Sequence, residues 1–236
     1  MKQLMAVMVV MAALALNARA QTISPVIQEY QQKADSRFQI YNDADVPLTV
    51  TLEPFSFTVD SNGSPAFRKL DSGINIQLSA TSFRIQPRQT FYVFYKATAE
   101  ALPAWFCIYA TVTGPTAPNG LKLAFKLPHT VYLLDKKKLE RDEIFWLRAE
   151  TILDGDQRKI VAEIENQGSG FGRVRQVEIS TASGTQTLPG FPVFPGQKRL
   201  ISLDWKEPAT PRSIVLNFER FKAETDLRTI TSQSAP

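Results

Sequence analysis

The sequence predicts an all-β protein built from two β-sandwich domains. Short segments alternate apolar and polar residues over most of the chain, and turns rich in Pro, Gly, Asn and Asp separate them. One charged run, DKKKLERDE at 135–143, interrupts this series near its middle. Such alternation places apolar side chains on one face of each strand. Helix is indicated only as a turn or two, near residue 30 and within the charged run.

The chain opens with the features of a secretory signal peptide, which we predict is residues 1–20. Lys2 precedes an apolar run from Leu4 to Leu16, and Ala18-Arg19-Ala20 has the small-x-small form of a cleavage site. The apolar run is too short for a good membrane span, and no later segment is long and apolar enough for one. We therefore expect export, to a bacterial periplasm, and no membrane insertion.

The charged run divides the predicted strands into two sets. The first set is 36–42, 47–57, 74–80, 83–87, 90–97, 105–112 and 121–127. The second set is 144–150, 159–166, 172–181, 185–190, 199–205 and 213–219. The predicted organisation is an N-terminal domain at 21–134, a hinge at 135–138, a C-terminal domain at 139–227 and a flexible tail at 228–236.

Composition limits the possible partners. The chain has 27 Lys and Arg against 23 Asp and Glu, a net charge of +4, and the positive residues are scattered. This distribution predicts no nucleic-acid partner. Cys107 is the only cysteine, so no internal disulfide forms. Its apolar surroundings, AWFCIYATV, predict a buried and unreactive thiol.

The residues needed for catalysis or metal binding are sparse. His129 is the only histidine, which excludes a histidine metal cluster, and no GxSxG motif accompanies it. A surface or interface position is the expectation for it. Carboxylates in 140–143 and 152–157 are expected in solvated turns, and GSGFG at 168–172 in a turn that needs positive φ. The sequence thus predicts no cofactor, no metal and no enzyme, with an envelope hydrolase the least favoured alternative.

The segment LKLAFKL, at 121–127, has an apolar residue at every second position: Leu121, Leu123, Phe125 and Leu127. Pro128 follows at once, and proline does not fit a central strand. We therefore expect a strand at a sheet edge, with an apolar row that something must cover. The alternative is an ordinary strand with one buried face, as every sandwich contains.

The order of these features resembles the periplasmic pilus assembly chaperones of the chaperone–usher pathway. Five stretches carry the resemblance: FQIYNDADVPLTVTLEPF (38–55), FRIQPRQTFYVFYKA (83–97), LPAWFCIYATV (102–112), LKLAFKLPHTVYLL (121–134) and GFPVFPGQKRLISL (190–203). The resemblance implies that both domains are immunoglobulin-like and that the chain is a distant member.

The resemblance also implies a mechanism. In that family the last strand of the first domain lends alternate apolar side chains to an incomplete immunoglobulin-like subunit, by β-augmentation. It implies that Leu121, Leu123, Phe125 and Leu127 bind pilus or fimbrial subunits. An outer-membrane usher and a self-capping homodimer are further implied partners. The competing function is a structural or adhesive two-domain sandwich in a surface fibre or envelope complex.

The resemblance leaves the binding of the subunit's terminal carboxylate open. The family uses an arginine in its first strand and a lysine near the end of the donor strand. The corresponding positions fall near Val26 and Thr130, and neither residue is basic. His129, Thr130 and Lys126 are the residues that remain as a possible carboxylate anchor.

Overall fold

The computed structural model describes residues 22–115, 120, 123–154 and 157–231, and the predicted signal peptide lies outside them. The first ten strands are β1 Thr22–Ser24, β2 Ile27–Gln31, β3 Ala34–Tyr41, β4 Leu48–Val59, β5 Pro65–Lys69, β6 Ile74–Leu78, β7 Ser82–Ile85, β8 Thr90–Ala99, β9 Ala104–Thr113 and β10 Ala124–Leu134. The remaining strands are β11 Ile144–Asp154, β12 Gln157–Asn166, β13 Gly172–Thr181, β14 Thr185–Pro189, β15 Pro192–Val193, β16 Lys198–Trp205, β17 Pro211–Phe218, β18 Lys222–Asp226 and β19 Arg228–Thr231.

Two pairs of sheets account for these strands. The first pair is a four-stranded sheet in the order β1-β3-β8-β6 and a six-stranded sheet in the order β2-β10-β9-β4-β5, with β7 beside β4. The second pair is a four-stranded sheet, β16-β12-β11-β19, and a five-stranded sheet, β14-β13-β17-β18, with β15 beside β13.

The chain forms two compact units. Among the described residues, the first comprises those up to Ser56 together with Lys69–Glu100 and Trp105–Tyr132. The second comprises Phe57–Arg68, Ala101–Ala104 and the described residues from Leu133 onwards.

Alternating apolar side chains fill the core of the first unit. Phe38 of β3 pairs with Val93 of β8, and both side chains are buried. From the other sheet, Val50, Ile108 and Val131 are fully buried. Removing a large apolar side chain from water contributes about 1.5–3 kcal/mol, so a set of this kind drives the packing of the two sheets.

The core of the second unit is built in the same way. Ile160 and Ile164 of β12 lie in one cluster with Ile179 of β13 and with Ile214 and Leu216 of β17, all fully buried. Because these residues come from both sheets of the unit, their inward faces form a single hydrophobic core.

Two segments expected to be helical or flexible are strands. The region near residue 30 is strand β2 rather than a helical turn. Residues 228–231, expected to belong to a flexible tail, form strand β19 and pair in parallel with β11, Arg228 opposite Glu150. Both segments are short and lack strong alternation, and pairing with a neighbouring strand outweighs that weak local preference. The charged run contains the 3-10 helix Arg141–Glu143.

Candidate functional site

Strand β10 contains the predicted donor strand, and its two halves differ. None of residues 124–128 is buried, whereas four of the five residues 129–133 are. β10 lies between β9 and β2, but β2 has 5 residues and β10 has 11. The predicted edge strand is therefore covered by β2 along part of its length only.

Short connections show which half of β10 runs beside β2. Gly114 N–H donates to Leu123 O at 3.4 Å, so the end of β9 meets the start of β10. Only four residues join β8 to β9 and two join β2 to β3. Because Ala34, at the start of β3, pairs with Ala97, near the end of β8, the ends of β2 and β10 lie at the same end of the sandwich. β2 therefore runs parallel to β10.

A hydrogen bond locates the start of this pairing. Thr130 N–H donates to the carbonyl of Val26, directly before β2, at 2.7 Å. Because β2 continues from this point in the direction of β10, it lies beside the C-terminal half of β10. The edge of the N-terminal half, residues 124–128, does not have β2 alongside it.

The predicted apolar row follows this change from buried to exposed. Val131 and Leu133 are fully buried, whereas Leu127 and Phe125 are half-buried and Leu123 is 69% exposed. Alternation places all five on one face of the strand. One face thus belongs to the core at its C-terminal end and is open at the other end. Leu121 lies outside the described residues, and the alternative of a buried-face strand applies to the C-terminal half only.

His129 is buried in the first unit, which corrects the expectation of a surface or interface position. Its Nδ1–H donates to the carbonyl of Pro25 at 2.7 Å, and its Nε2 accepts from the Tyr95 hydroxyl at 3.1 Å. The ring stacks on Phe38 with centroids 4.5 Å apart. Burial lowers the pKa of His129 to about 4. Because the ring is buried and both of its nitrogens already have partners, His129 has no group left to bind a subunit's carboxylate.

The side chains of the other two expected anchor residues contact strand β9. Lys126 is exposed, and its Nζ lies 5.6 Å from the ring centroid of Tyr109, in a cation–π contact. The Thr130 side chain hydrogen-bonds the thiol of Cys107. The thiol is buried, as predicted, and burial raises the pKa of Cys107 to about 11. Lys126 is therefore the only one of the three expected anchors that offers an exposed cation.

The glycine-rich motif and the acidic residues at 140–143 have structural roles. A Cβ at Gly170 would lie 2.7 Å from the backbone nitrogen of Leu139, and one at Gly172 would lie 2.3 Å from Leu139 Cδ2. Close packing, rather than the expected positive φ, therefore requires these glycines. Glu143 accepts from the backbone N–H of Glu140 at 3.0 Å, and this bond lowers the pKa of Glu143.

The described ranges contain no group of three or more His, Cys, Asp or Glu residues placed to hold a metal ion. A membrane-spanning helix is likewise not found among the residues that the structure covers.

Comparison with solved structures identifies the architecture. The class 5 fimbriae chaperone CfaA aligns with TM-score 0.52 and 9% identity, over 88% of this chain and 99% of that chain. The YadV chaperone aligns with TM-score 0.53 and 12% identity, over 88% and 99%. A chain of the Salmonella enterica complex between the SafA pilin and the SafB chaperone aligns with TM-score 0.52 and 12% identity, over 89% and 98%.

The chain has the fold of the fimbrial chaperones. The predicted fold class, two immunoglobulin-like β-sandwich domains, is confirmed, and so is the resemblance at the level of the fold. No protein-family model and no curated protein sequence matches this chain. The likeness to the solved chaperones is therefore one of fold.

Sequence reasoning missed the segment that delimits the site on this chaperone fold. The chain passes from the four-stranded to the six-stranded sheet between β1 and β2, at Pro25 and Val26. Their carbonyls accept from His129 and Thr130. Pro25 was the available signal, because proline lacks an N–H and often marks a break in pairing.

Proposed function

We propose that the protein is a periplasmic chaperone that binds and caps fimbrial subunits by donating a donor segment, which consists of Leu123 and residues 124–127 of β10. The observation that carries the proposal is the apolar face of β10, which is buried beside β2 and open beyond it. The likeness in fold to fimbrial chaperones supports the same function.

The physical basis is β-augmentation. A subunit that lacks one strand exposes an apolar groove and unpaired backbone groups. The open edge of the donor segment supplies backbone pairing, and Leu123, Phe125 and Leu127 fill the groove. In the free protein Leu123 is 69% exposed, so covering it on binding removes apolar surface from water.

The partners follow from this mechanism. The SafA–SafB complex contains a pilin and a chaperone, which supports a fimbrial subunit as the partner of this chain. An outer-membrane usher that receives the subunit belongs to the same proposal. A homodimer that pairs two donor segments would cover the open edge when no subunit is present. Lys126 remains a candidate contact for the subunit's carboxylate.

Substitution of the exposed row tests the proposal. The double variant Leu123→Glu, Phe125→Glu places two charges on the face that enters the groove. Burying an unpaired carboxylate costs several kcal/mol, so we expect the affinity for the subunit to fall at least about tenfold. The measurement is native mass spectrometry of the tagged protein purified from the periplasm of its own host.

Phe94→Glu is the matched control, because Phe94 is also on the first unit and is 54% exposed, but lies on β8. A small β-rich partner should accompany the wild type and the control and be absent from the double variant. A partner retained by a folded double variant, or no partner with the wild type, would contradict the proposal.

A further inference from the structure

We propose that Pro128 is a positioning residue. It marks the end of the part of β10 along which a subunit strand can pair. This inference rests on the proposed function and adds what sets the length of the paired segment. It follows from the direction in which the backbone groups of β10 point.

Backbone groups of successive strand residues point to opposite sides. The carbonyl of Leu123 accepts from Gly114, next to β9, so the odd-numbered residues of β10 direct their backbone groups toward β9. The N–H of Thr130 reaches Val26 at 2.7 Å, so the even-numbered residues point to the other side. The backbone groups of Pro128 therefore point away from β9, toward the side that a subunit strand would use.

A second in-strand proline follows the same rule. Leu52 N–H donates to Thr81 O at 2.8 Å, away from β9. Pro54, two residues further along β4, therefore also directs its nitrogen away from β9. Its partner in the pairing of β4 with β9 is Ile108. In both strands, the missing N–H removes no bond from the pairing with β9, which is how a sheet accommodates proline.

The backbone N–H groups on the side of β10 that points away from β9 determine where a subunit strand can pair. Ala124 and Lys126 each present an N–H, Pro128 presents none, and the N–H of Thr130 is bonded to Val26. Lys126 thus carries the last N–H before β2 begins. A subunit strand that pairs along this edge meets a missing donor at Pro128 and an occupied position at Thr130.

The backbone of β10 itself therefore determines where the paired segment ends. His129, next to Pro128, is buried, and the Thr130 side chain is bonded to Cys107, so neither side chain is available to a subunit strand. The missing N–H of Pro128 and the occupied N–H of Thr130 fix the end of the subunit strand through the backbone. Leu127 then becomes the last apolar side chain of the donor segment that enters the groove.

The test is Pro128→Ala, which restores one N–H, with Pro54→Ala as the control for a proline on another strand. Amide hydrogen exchange by NMR is measured first on the free proteins. The new amide at position 128 should exchange as fast as that of Lys126, while that of Thr130 exchanges slowly. Protection of the new amide in the free variant would mean that β2 already covers this position, and would overturn the register role alone.

The second measurement uses the subunit that co-purifies with the wild-type protein. In that complex, the new amide of the Pro128→Ala variant should become protected, and dissociation should slow about fivefold relative to the wild type, the effect of about one added backbone bond. The control should dissociate as the wild type does. Fast exchange of the new amide in the complex would overturn the register role, whereas the absence of any co-purifying subunit would contradict the proposed function itself.

Discussion

His129 is a polar residue placed in the hydrophobic core of the first unit, and both of its ring nitrogens have partners. Pro25 and Tyr95, which supply them, lie 104 and 34 residues away in the chain. Because no local pattern connects these residues, the sequence could not predict the burial of a lone histidine. The same long-range contacts remove His129 from the expected carboxylate anchor.

Burial of His129 predicts a stability change at mildly acidic pH. The pKa falls from 6.5 to about 4 on folding. Above pH 6.5 the imidazole is neutral in the folded and the unfolded state, so its titration does not lower the free energy of unfolding. Between pH 6.5 and 4 the unfolded state binds the proton first, so roughly 3 kcal/mol of stability is lost as the pH falls.

Urea unfolding of the wild type and His129→Gln at pH 7 and pH 4 checks this. The carboxylates are common to both proteins and His129 is the only histidine, so the difference between the proteins isolates its titration. The free energy of unfolding should fall more steeply for the wild type. Equal pH dependence in the two proteins would show that the imidazole is not buried in its neutral form.

Strand β13 depends on a close approach at Gly190. This glycine separates β14 from β15, both of which pair with β13. Val174 of β13 and Phe191 exchange two backbone hydrogen bonds, of 2.9 and 3.0 Å. A Cβ at Gly190 would lie 1.8 Å from the carbonyl oxygen of Val174, so a side chain there forces this pair apart.

We therefore expect Gly190→Ala to lower the free energy of unfolding by about 2–4 kcal/mol. Gly196→Ala is the control: its φ of +65° carries a backbone cost, but no atom lies within 4 Å of the added Cβ. That variant should lose about 1 kcal/mol. Chemical denaturation of both variants gives the comparison, and similar losses would contradict the close approach.

Strands with clear alternation were predicted to within a few residues, whereas several short edge strands were not. The expected strand at 90–97 corresponds to β8, Thr90–Ala99, and that at 172–181 to β13. By contrast, β5 has no partly or fully buried residue, so its side chains follow no inside–outside pattern. β10 is the intermediate case: alternation predicted its apolar face, but the cover supplied by β2 depends on a distant segment.

At the scale of the whole molecule, the fold follows from the pattern of burial rather than from particular residues. The solved chaperones share 9–12% identity with this chain and align over 88–89% of it. Alternation is retained when individual apolar residues are exchanged, so sequence reasoning predicted the fold class. The site is harder to predict, because it depends on which strand ends are covered by chain segments from elsewhere.

The proposed function requires that the exposed face of β10 contacts a subunit strand. Site-specific photo-crosslinking in the native host tests this contact most directly, with p-benzoylphenylalanine placed at Leu123 and, as a control, at Phe94 on β8. We expect one cross-linked product with a small β-rich subunit from position 123 and none from position 94. A folded protein that gives no product at 123, or the same products at both positions, would contradict the proposed function.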